Sequence, residues 1–452
     1  MQKKPNVVLI TIDSLRADFC GFLNPKEKNT PFLDSIANKS YIFTSAISPA
    51  NPTFFVFSSI MTGVLPFTYG KYLGIPDNPN IKTLAEIMKA NDYNTFAFLA
   101  DSPALYSIYG YQKGFDHYDD GYENTDKTYL SSLVFLWDLR EKMPEKLLRI
   151  IETVRTFIKV VFFSPKHSVP GKKLNEKVMD FFEQRKNKPF FLWLHYMDNH
   201  VPYFSGLDKY FFKNQNLIKR IFKKIIFYKE LATSLRKMKL KNHKTNEIFQ
   251  EAYRSSVKYS DEYTGKIISY LRRKYPNTVF IITSDHGESF MEHGLYGHEA
   301  YSLYNESIQI PLIIHIPSKK PQLITQTVSL VSIAKTIAAI AGLEVSQFKG
   351  DNLLTDKVFS PINNISQILY KCRSPHVRLG ILDNNTEIQG YNSLWSFTTP
   401  EEKYIFEENG KEEKYYNLLN DPGENKNLLR NKTADRRIKK IKSIIENAIY
   451  LK

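Results

Sequence analysis

The stretch Val7-Val8-Leu9-Ile10-Thr11-Ile12-Asp13 is an unbroken apolar and β-branched run that ends on a carboxylate. A strand with one wet face alternates apolar and polar residues. A continuous run has both faces covered, as in a parallel sheet between helix layers. Similar runs recur at 95–99, 190–194, 279–283 and 312–316, with helix-like patterns between them at 83–89, 175–185 and 247–270. The alternation predicts an α/β fold with a mostly parallel central sheet flanked by helices. From about Lys320 the pattern changes to a helix over 328–341, then to turn-rich sequence with strands expected near 377–382 and 402–406. The expected organisation is a catalytic domain over 1–320, with insertions at about 125–170 and 205–245. A smaller C-terminal α+β subdomain over 321–452 would end in a basic helix.

Composition narrows the class. Cys20 and Cys372 are the only two cysteines among 452 residues, too few for a disulfide framework or a thiolate zinc cluster. No stretch reaches the ~18 uncharged apolar residues of a membrane span; the nearest, Leu147 to Phe163, is broken by Arg149, Glu152, Arg155 and Lys159. The N-terminus passes into the first strand without a signal-peptide core. A cytoplasmic protein, or one peripheral on the inner face of the membrane, is expected. The net charge of +15 is concentrated: residues 208–244 hold twelve Lys or Arg against Asp208 and Glu230. Leu217, Ile221, Phe222, Ile225, Ile226 and Phe227 are interleaved with them, a pattern that suits either a solvated lid helix or peripheral membrane contact.

Ligands of a parallel α/β sheet bind beyond the carboxyl ends of its strands, so the residues just after each apolar run carry the information. The first run delivers Asp13, the run at 190–194 delivers His195 and His200, and the run at 279–283 delivers Asp285, His286, His293 and His298. Taken singly, Asp13 reads as a turn or helix cap, His195 as a bonded core histidine, and Asp285-His286-Gly287 as a tight turn. Taken together, acids and imidazoles at three strand ends point to a hard or borderline divalent cation.

In this order and spacing the sequence resembles the sulfatase family of the alkaline-phosphatase superfamily along nearly its whole length. Pro5 to Asp18 resembles the family's first metal-binding strand, Thr30-Pro31-Phe32-Leu33-Asp34 the next helix start, and Ser58 to Gly63 the end of the nucleophile motif. His195 to Tyr203 is similar to the substrate-binding histidine segment, and Thr283 to Glu288 with Glu292-His293-Gly294 to the second metal-binding loop. Tyr416 to Glu424, with Asn427-Leu428, resembles the C-terminal signature.

The nucleophile departs from the pattern. Ten residues before Gly63, where family sulfatases carry a cysteine or serine that becomes formylglycine, stands Thr53, and Phe55 and Phe57 occupy the places of the family's Pro and Arg. Threonine carries a β-methyl and cannot become that aldehyde, so no formylglycine is expected. A threonine here resembles the branch in which the hydroxyl itself attacks phosphorus. The plainer reading of Thr53 is a helix N-cap, compatible with catalysis.

The resemblance implies one divalent ion (calcium, magnesium, manganese or zinc) held by Asp13, Asp285, His286 and Thr53. One ion is expected rather than two, because Ser14 stands where many sulfatases have a second aspartate. Thr53 would be the nucleophile; His195 and His200 would contact the transferred group. His298, where related members carry a lysine, would bind substrate or protonate the leaving oxygen, a role open also to His200. Arg16 and Asp18 read equally as supporting partners or as a structural ion pair. The expected activity is hydrolysis of anionic esters on a glycan or lipid, phosphate favoured over sulfate. The alternatives are a true sulfatase, a phosphoethanolamine or phosphoglycerol transferase acting on envelope glycans or lipids, and a non-enzymatic binder of anionic surfaces. Nucleic acid is the weakest partner.

Overall fold

The computed structural model describes residues 4–70, 74–121, 169–185, 188–213, 243–298, 302–317, 319–355, 358–370, 392–408, 412–429 and 432–450, with isolated positions between 216 and 230. The insertion read at 125–170, most of the basic segment 208–244 and the strand expected near 377–382 lie outside them, apart from the ends of the two insertions.

Eight strands form the main sheet: β1 (Asn6–Ile12), β2 (Tyr41–Ile47), β3 (Asn94–Leu99), β4 (His117–Asp119), β5 (Phe190–Tyr196), β6 (Thr278–Thr283), β9 (Gln309–His315) and β10 (Gln322–Ser329). A two-stranded ribbon of β7 (Ser289–Phe290) and β8 (Tyr296–Gly297) lies in the loop between β6 and β9. The spatial order of the main sheet is β10-β2-β9-β6-β1-β5-β3-β4. The first apolar run is the central strand. It pairs in parallel with β5 and β6, with Thr11 opposite both His195 and Thr283, so the three strand ends emerge side by side. The pairing is parallel throughout except at β9, which runs antiparallel to β2 and β6. The long loop after β6 stays at the carboxyl end of the sheet, so the next strand enters from that end and returns downward.

Burial of β1 tracks its two faces. Val8, Ile10 and Ile12 belong to one core layer, and Val7 and Leu9 to the other. The first layer is closed by α1 (Pro31–Ala37), α4 (Gly171–Glu183) and α5 (His243–Lys274). The second is closed by α2 (Thr53–Thr62), α3 (Leu84–Ala90) and α7 (Ile333–Ile340). α3 opens on a capping box in which Thr83 and Glu86 satisfy each other's backbone N–H groups. α2 stops at Gly63, whose φ of 67° is the left-handed conformation that ends helices.

The helix read over 328–341 begins only at Ile333, because Val328 and Ser329 complete β10. That strand lies beyond the boundary drawn at 320 and pairs with β2 in the main sheet. A separate antiparallel sheet comes next, of β11 (Ile365–Tyr370), β12 (Asn392–Thr398), β13 (Glu402–Glu407) and β14 (Glu413–Asn417). The basic terminal helix α8 (Lys432–Tyr450) covers it, with Ile438, Ile441 and Ile445 buried against Trp395, Phe397 and Tyr404. Among the described residues no helix is long and apolar enough to cross a membrane.

Ile10 is fully buried at the middle of the central strand. Replacing it by alanine is expected to lower stability by about 2–5 kcal/mol through lost transfer energy and an unfilled cavity, measured by urea unfolding.

Candidate active site

The three strand ends meet the amino end of α2. Thr53 is its first helical residue; Pro52 occupies the N-cap position, and the hydroxyl makes no capping bond. The side chain turns instead toward the strand ends. Its Oγ1 lies 2.9 Å from Asp285 Oδ2, 3.1 Å from His286 Nε2 and 3.4 Å from Asp13 Oδ2. His286 Nδ1 faces the carbonyl of Gly287 at 2.8 Å. A carbonyl can only accept, so Nδ1 carries the proton and Nε2 presents its lone pair to the threonine hydroxyl. That hydroxyl therefore donates to Asp285 or to His286.

Asp13, Asp285 and His286 are fully buried, and their ligating atoms lie within 4.8 Å of one another. Two carboxylates, an imidazole nitrogen and a hydroxyl form an oxygen-rich donor set that fits a divalent cation of the hard or borderline class. Ser14 adds no second carboxylate: at a φ of 55° it donates through Oγ to Asp13 Oδ1 at 2.6 Å, and its N–H points to Asp285 Oδ1 at 3.2 Å. Tyr253 on α5 holds this turn, donating to the Ser14 carbonyl at 2.6 Å and accepting from Arg16 N–H at 2.9 Å.

The remaining histidines ring this centre. His298 lies edge-on to His200 and tilted against His286, with ring centroids 4.7 Å apart in each case. Its Nδ1 is 3.0 Å from Glu288 Oε2, and His200 Nδ1 is 2.6 Å from the Val201 carbonyl. In both, the outer acceptor fixes the proton on Nδ1. His195 is buried with Nδ1 at 2.9 Å from Thr11 Oγ1 and Nε2 at 3.7 Å from Asp13 Oδ2. Burial pushes the His195 imidazole down, against the opposing pull of Asp285 and Asp13. Burial would by itself raise the Asp13 carboxyl, but His200, His286, His195 and His298 together outweigh it and hold it well below the usual range.

Phe57, at the place of the family arginine, packs edge-on to His195 at 5.0 Å and against Trp193. The position that resembles a cation site is thus an apolar wall. Arg16 is bound by Asp18 at 2.8 Å, Glu292 at 2.5 Å and the Glu288 carbonyl at 2.9 Å, which ties the loop after His286 to the first strand. Burial works against its charge, and Asp18 and Glu292 overcome it.

His293, grouped with the site by sequence, lies elsewhere. Its Nδ1 is 2.7 Å from Glu306 Oε1, its Nε2 3.2 Å from the Glu424 carbonyl, and its ring stacks on Tyr304 at 3.6 Å. Other groups lie within or beside these motifs without a site role legible from residue type alone. Glu288 orients His298. The amides of Asn51 and Asn199, together with Glu288 Oε1 and His195 Nε2, are buried without a hydrogen-bond partner among the described residues. Leaving such groups unsatisfied costs about 1–3 kcal/mol each, a cost that a ligand bound against them would offset.

A family model described as sulfatase matches residues 5–343. An arylsulfatase of Clostridium perfringens (strain 13 / Type A) is 22% identical over 470 residues, covering 98% of this chain and 94% of the relative. The crystal structure of a phosphonate monoester hydrolase of Agrobacterium radiobacter superposes with a TM-score of 0.66 at 17% identity, over 98% of this chain and 96% of that one. A further structure, solved in complex with its substrate D-glucosamine-2-N,6-O-disulfate, gives 0.67 at 17% identity, over 98% and 97%.

Burial disfavours the His293 imidazolium, but Glu306 and the Glu424 carbonyl outweigh it and raise the pKa above the ordinary 6.5. Such a group lends stability that is full below 6.5 and fades as pH rises through the folded value. The difference in Tm between the wild type and His293→Gln is expected to be largest near ~pH 6 and to shrink toward ~pH 9.

Proposed function

The chain belongs to the sulfatase family, and on that footing we propose that it hydrolyses phosphate esters in preference to sulfate esters through Thr53 as nucleophile. The observation that carries this reading is the Thr53 hydroxyl, 2.9 Å from Asp285 and 3.1 Å from His286 at the start of α2. Asp13, Asp285, His286 and Thr53 would hold a divalent ion (calcium, magnesium, manganese or zinc), whose chemistry is to lower the pKa of the hydroxyl and to offset charge on the transferred group.

Thr53 Oγ1 attacks phosphorus in line with the ester oxygen; its proton leaves toward the Asp285 side, the new O–P bond forms and the ester P–O bond breaks. His298 or His200, entering the step doubly protonated with Nδ1–H held by Glu288 or the Val201 carbonyl, gives its Nε2 proton to the leaving oxygen. His195 and His200 contact the equatorial oxygens. Water then attacks phosphorus and gives its proton to the histidine that protonated the leaving oxygen; the P–O bond to Thr53 breaks, and Thr53 recovers its proton from the Asp285 side. A threonine cannot form the geminal diol through which formylglycine expels sulfate, so the second half depends on attack at the central atom. That requirement favours phosphorus.

The substrate in this reading is an anionic ester on a glycan or lipid. Sulfate ester hydrolysis is the second reading, favoured by the arylsulfatase relative and by the neighbour bound to a sulfated sugar.

Thr53→Ala is expected to reduce kcat by at least ~10³ while leaving the fold intact, with partial activity in Thr53→Ser, measured on an aryl phosphodiester and the aryl sulfate of the same leaving group. Chelation should abolish turnover, and adding back a single divalent metal should restore it. Survival of activity in Thr53→Ala would remove the nucleophile assignment, and full activity after chelation would remove the ion.

A further inference from the structure

The C-terminal signature turn reaches the back of the active site through a buried ion pair. Asp421 builds the turn, accepting from the N–H groups of Asn425 at 3.1 Å and Lys426 at 2.7 Å, and it places Glu424 inward, 2% exposed, at a φ of 53°. Glu424 Oε2 accepts from Asn305 N–H at 2.7 Å, and Oε1 lies 2.9 Å from Lys403 Nζ, a charge contact rather than an aligned hydrogen bond. Lys403, fully buried on β13, also donates to the Leu303 carbonyl at 3.0 Å and to Asn305 Oδ1 at 2.6 Å. The pair thus holds Asn305 by its backbone and by its side chain.

What Asn305 belongs to matters for the chemistry. It opens the one-turn helix α6 (Asn305–Ile308), whose carbonyls accept from the loop after the metal-site residues: Glu306 O from Glu288 N–H at 2.9 Å, and Ser307 O from Gly287 N–H at 2.8 Å. The two segments are in such close contact that a Cβ on Gly287 would stand 2.1 Å from the Glu306 carbonyl oxygen. The Gly287 carbonyl in turn accepts a hydrogen bond from His286 Nδ1–H, and the Glu288 carboxylate one from His298 Nδ1–H. An unbroken series of short contacts therefore runs from Lys403 and Glu424, through Asn305 and α6, to the two side chains that face Thr53 and the substrate.

We propose that the Lys403–Glu424 pair is a positioning element of the metal centre, so that the C-terminal subdomain is a working part of the active site. The inference rests on the metal site proposed above. Burying this pair is costly unless its polar neighbours need it, and an apolar replacement of similar volume would serve a purely structural role as well. Losing the acceptor for Asn305 N–H at position 424 costs stability in either role, but only the positioning role carries the loss through to metal affinity at matched folding.

Two double variants of the full chain separate these roles without leaving an unpaired buried charge. Lys403→Met with Glu424→Gln keeps the acceptor, and Lys403→Met with Glu424→Leu removes it. Folding is monitored by far-UV circular dichroism and metal-free Tm, and Mn²⁺ affinity by calorimetry. The Gln-bearing variant is expected to bind Mn²⁺ within about threefold of the wild type, and the Leu-bearing variant at least about tenfold more weakly at matched folding, the size of effect seen when supporting partners of ligands are lost. The kcat on the wild type's best aryl ester should fall in parallel, with a smaller change in KM. Equal Mn²⁺ affinity in the two variants would overturn the positioning role. Failure of the wild type to bind Mn²⁺ would instead overturn the metal site, and the link to it as well.

Discussion

Two carboxylates, Asp13 and Asp285, are fully buried within reach of one hydroxyl, and among the described residues only imidazoles stand opposite them as ion-pair partners. Isolated buried carboxylates are strongly disfavoured, so the surrounding structure is committed to compensating them. Four histidines lower the Asp13 pKa against its burial. Backbone N–H groups of Ser14 and His286 donate to Asp285. Parallel pairing of β1 with β5 and β6 delivers all these groups to one edge of the sheet, and α2 brings its first residue to the same point. The fold is the means by which charges that repel in isolation are held with their ligating atoms within 4.8 Å of one another, an arrangement that suits a divalent cation.

The sequence displays the centre of this arrangement better than its periphery, for physical reasons. Strand ends are legible because a doubly buried strand is a continuous apolar run, and register alone places the residue just beyond it. Asp13, Asp285 and His286 are accessible in that way, as is Thr53 through its distance from Gly63. The reversal of β9 is not, since Ile310 to Ile314 is as apolar as a parallel strand and direction depends on where the preceding loop ends. Val328 and Ser329 read as helix because the helical pattern of α7 continues backward into them; pairing with β2 decides otherwise. His293 shows the limit of motif reading: it lies five residues from His298 but faces the opposite way, onto Glu306 and Glu424. Glu424 sits in a recognisable signature, yet its partners Lys403 and Asn305 are joined to it only by tertiary packing.

In the proposed reading Thr53 changes the chemistry that the family resemblance implies. Its hydroxyl takes no part in capping α2 and is directed at the buried acids. Phe57, in place of a cation, packs on His195 and Trp193, so in the proposed reading contacts to the transferred group fall to histidines. Imidazoles accept, donate or carry charge according to their outer partners, and Val201, Gly287 and Glu288 supply acceptors that fix three of them. The helix terminus, the acids and the imidazoles form one unit anchored from outside by Arg16, Tyr253 and the C-terminal turn.

In the proposed reaction the group transferred from the substrate becomes bonded to the Thr53 oxygen. Acid quenching of the enzyme during turnover of an aryl phosphodiester, with mass spectrometry of the peptide that contains Thr53, tests it directly. A fraction of that peptide is expected to carry the phosphoryl group, still bearing its remaining ester, at Thr53 in the wild type and not in Thr53→Ala. Turnover without any adduct at Thr53, or an adduct on another side chain, would contradict it.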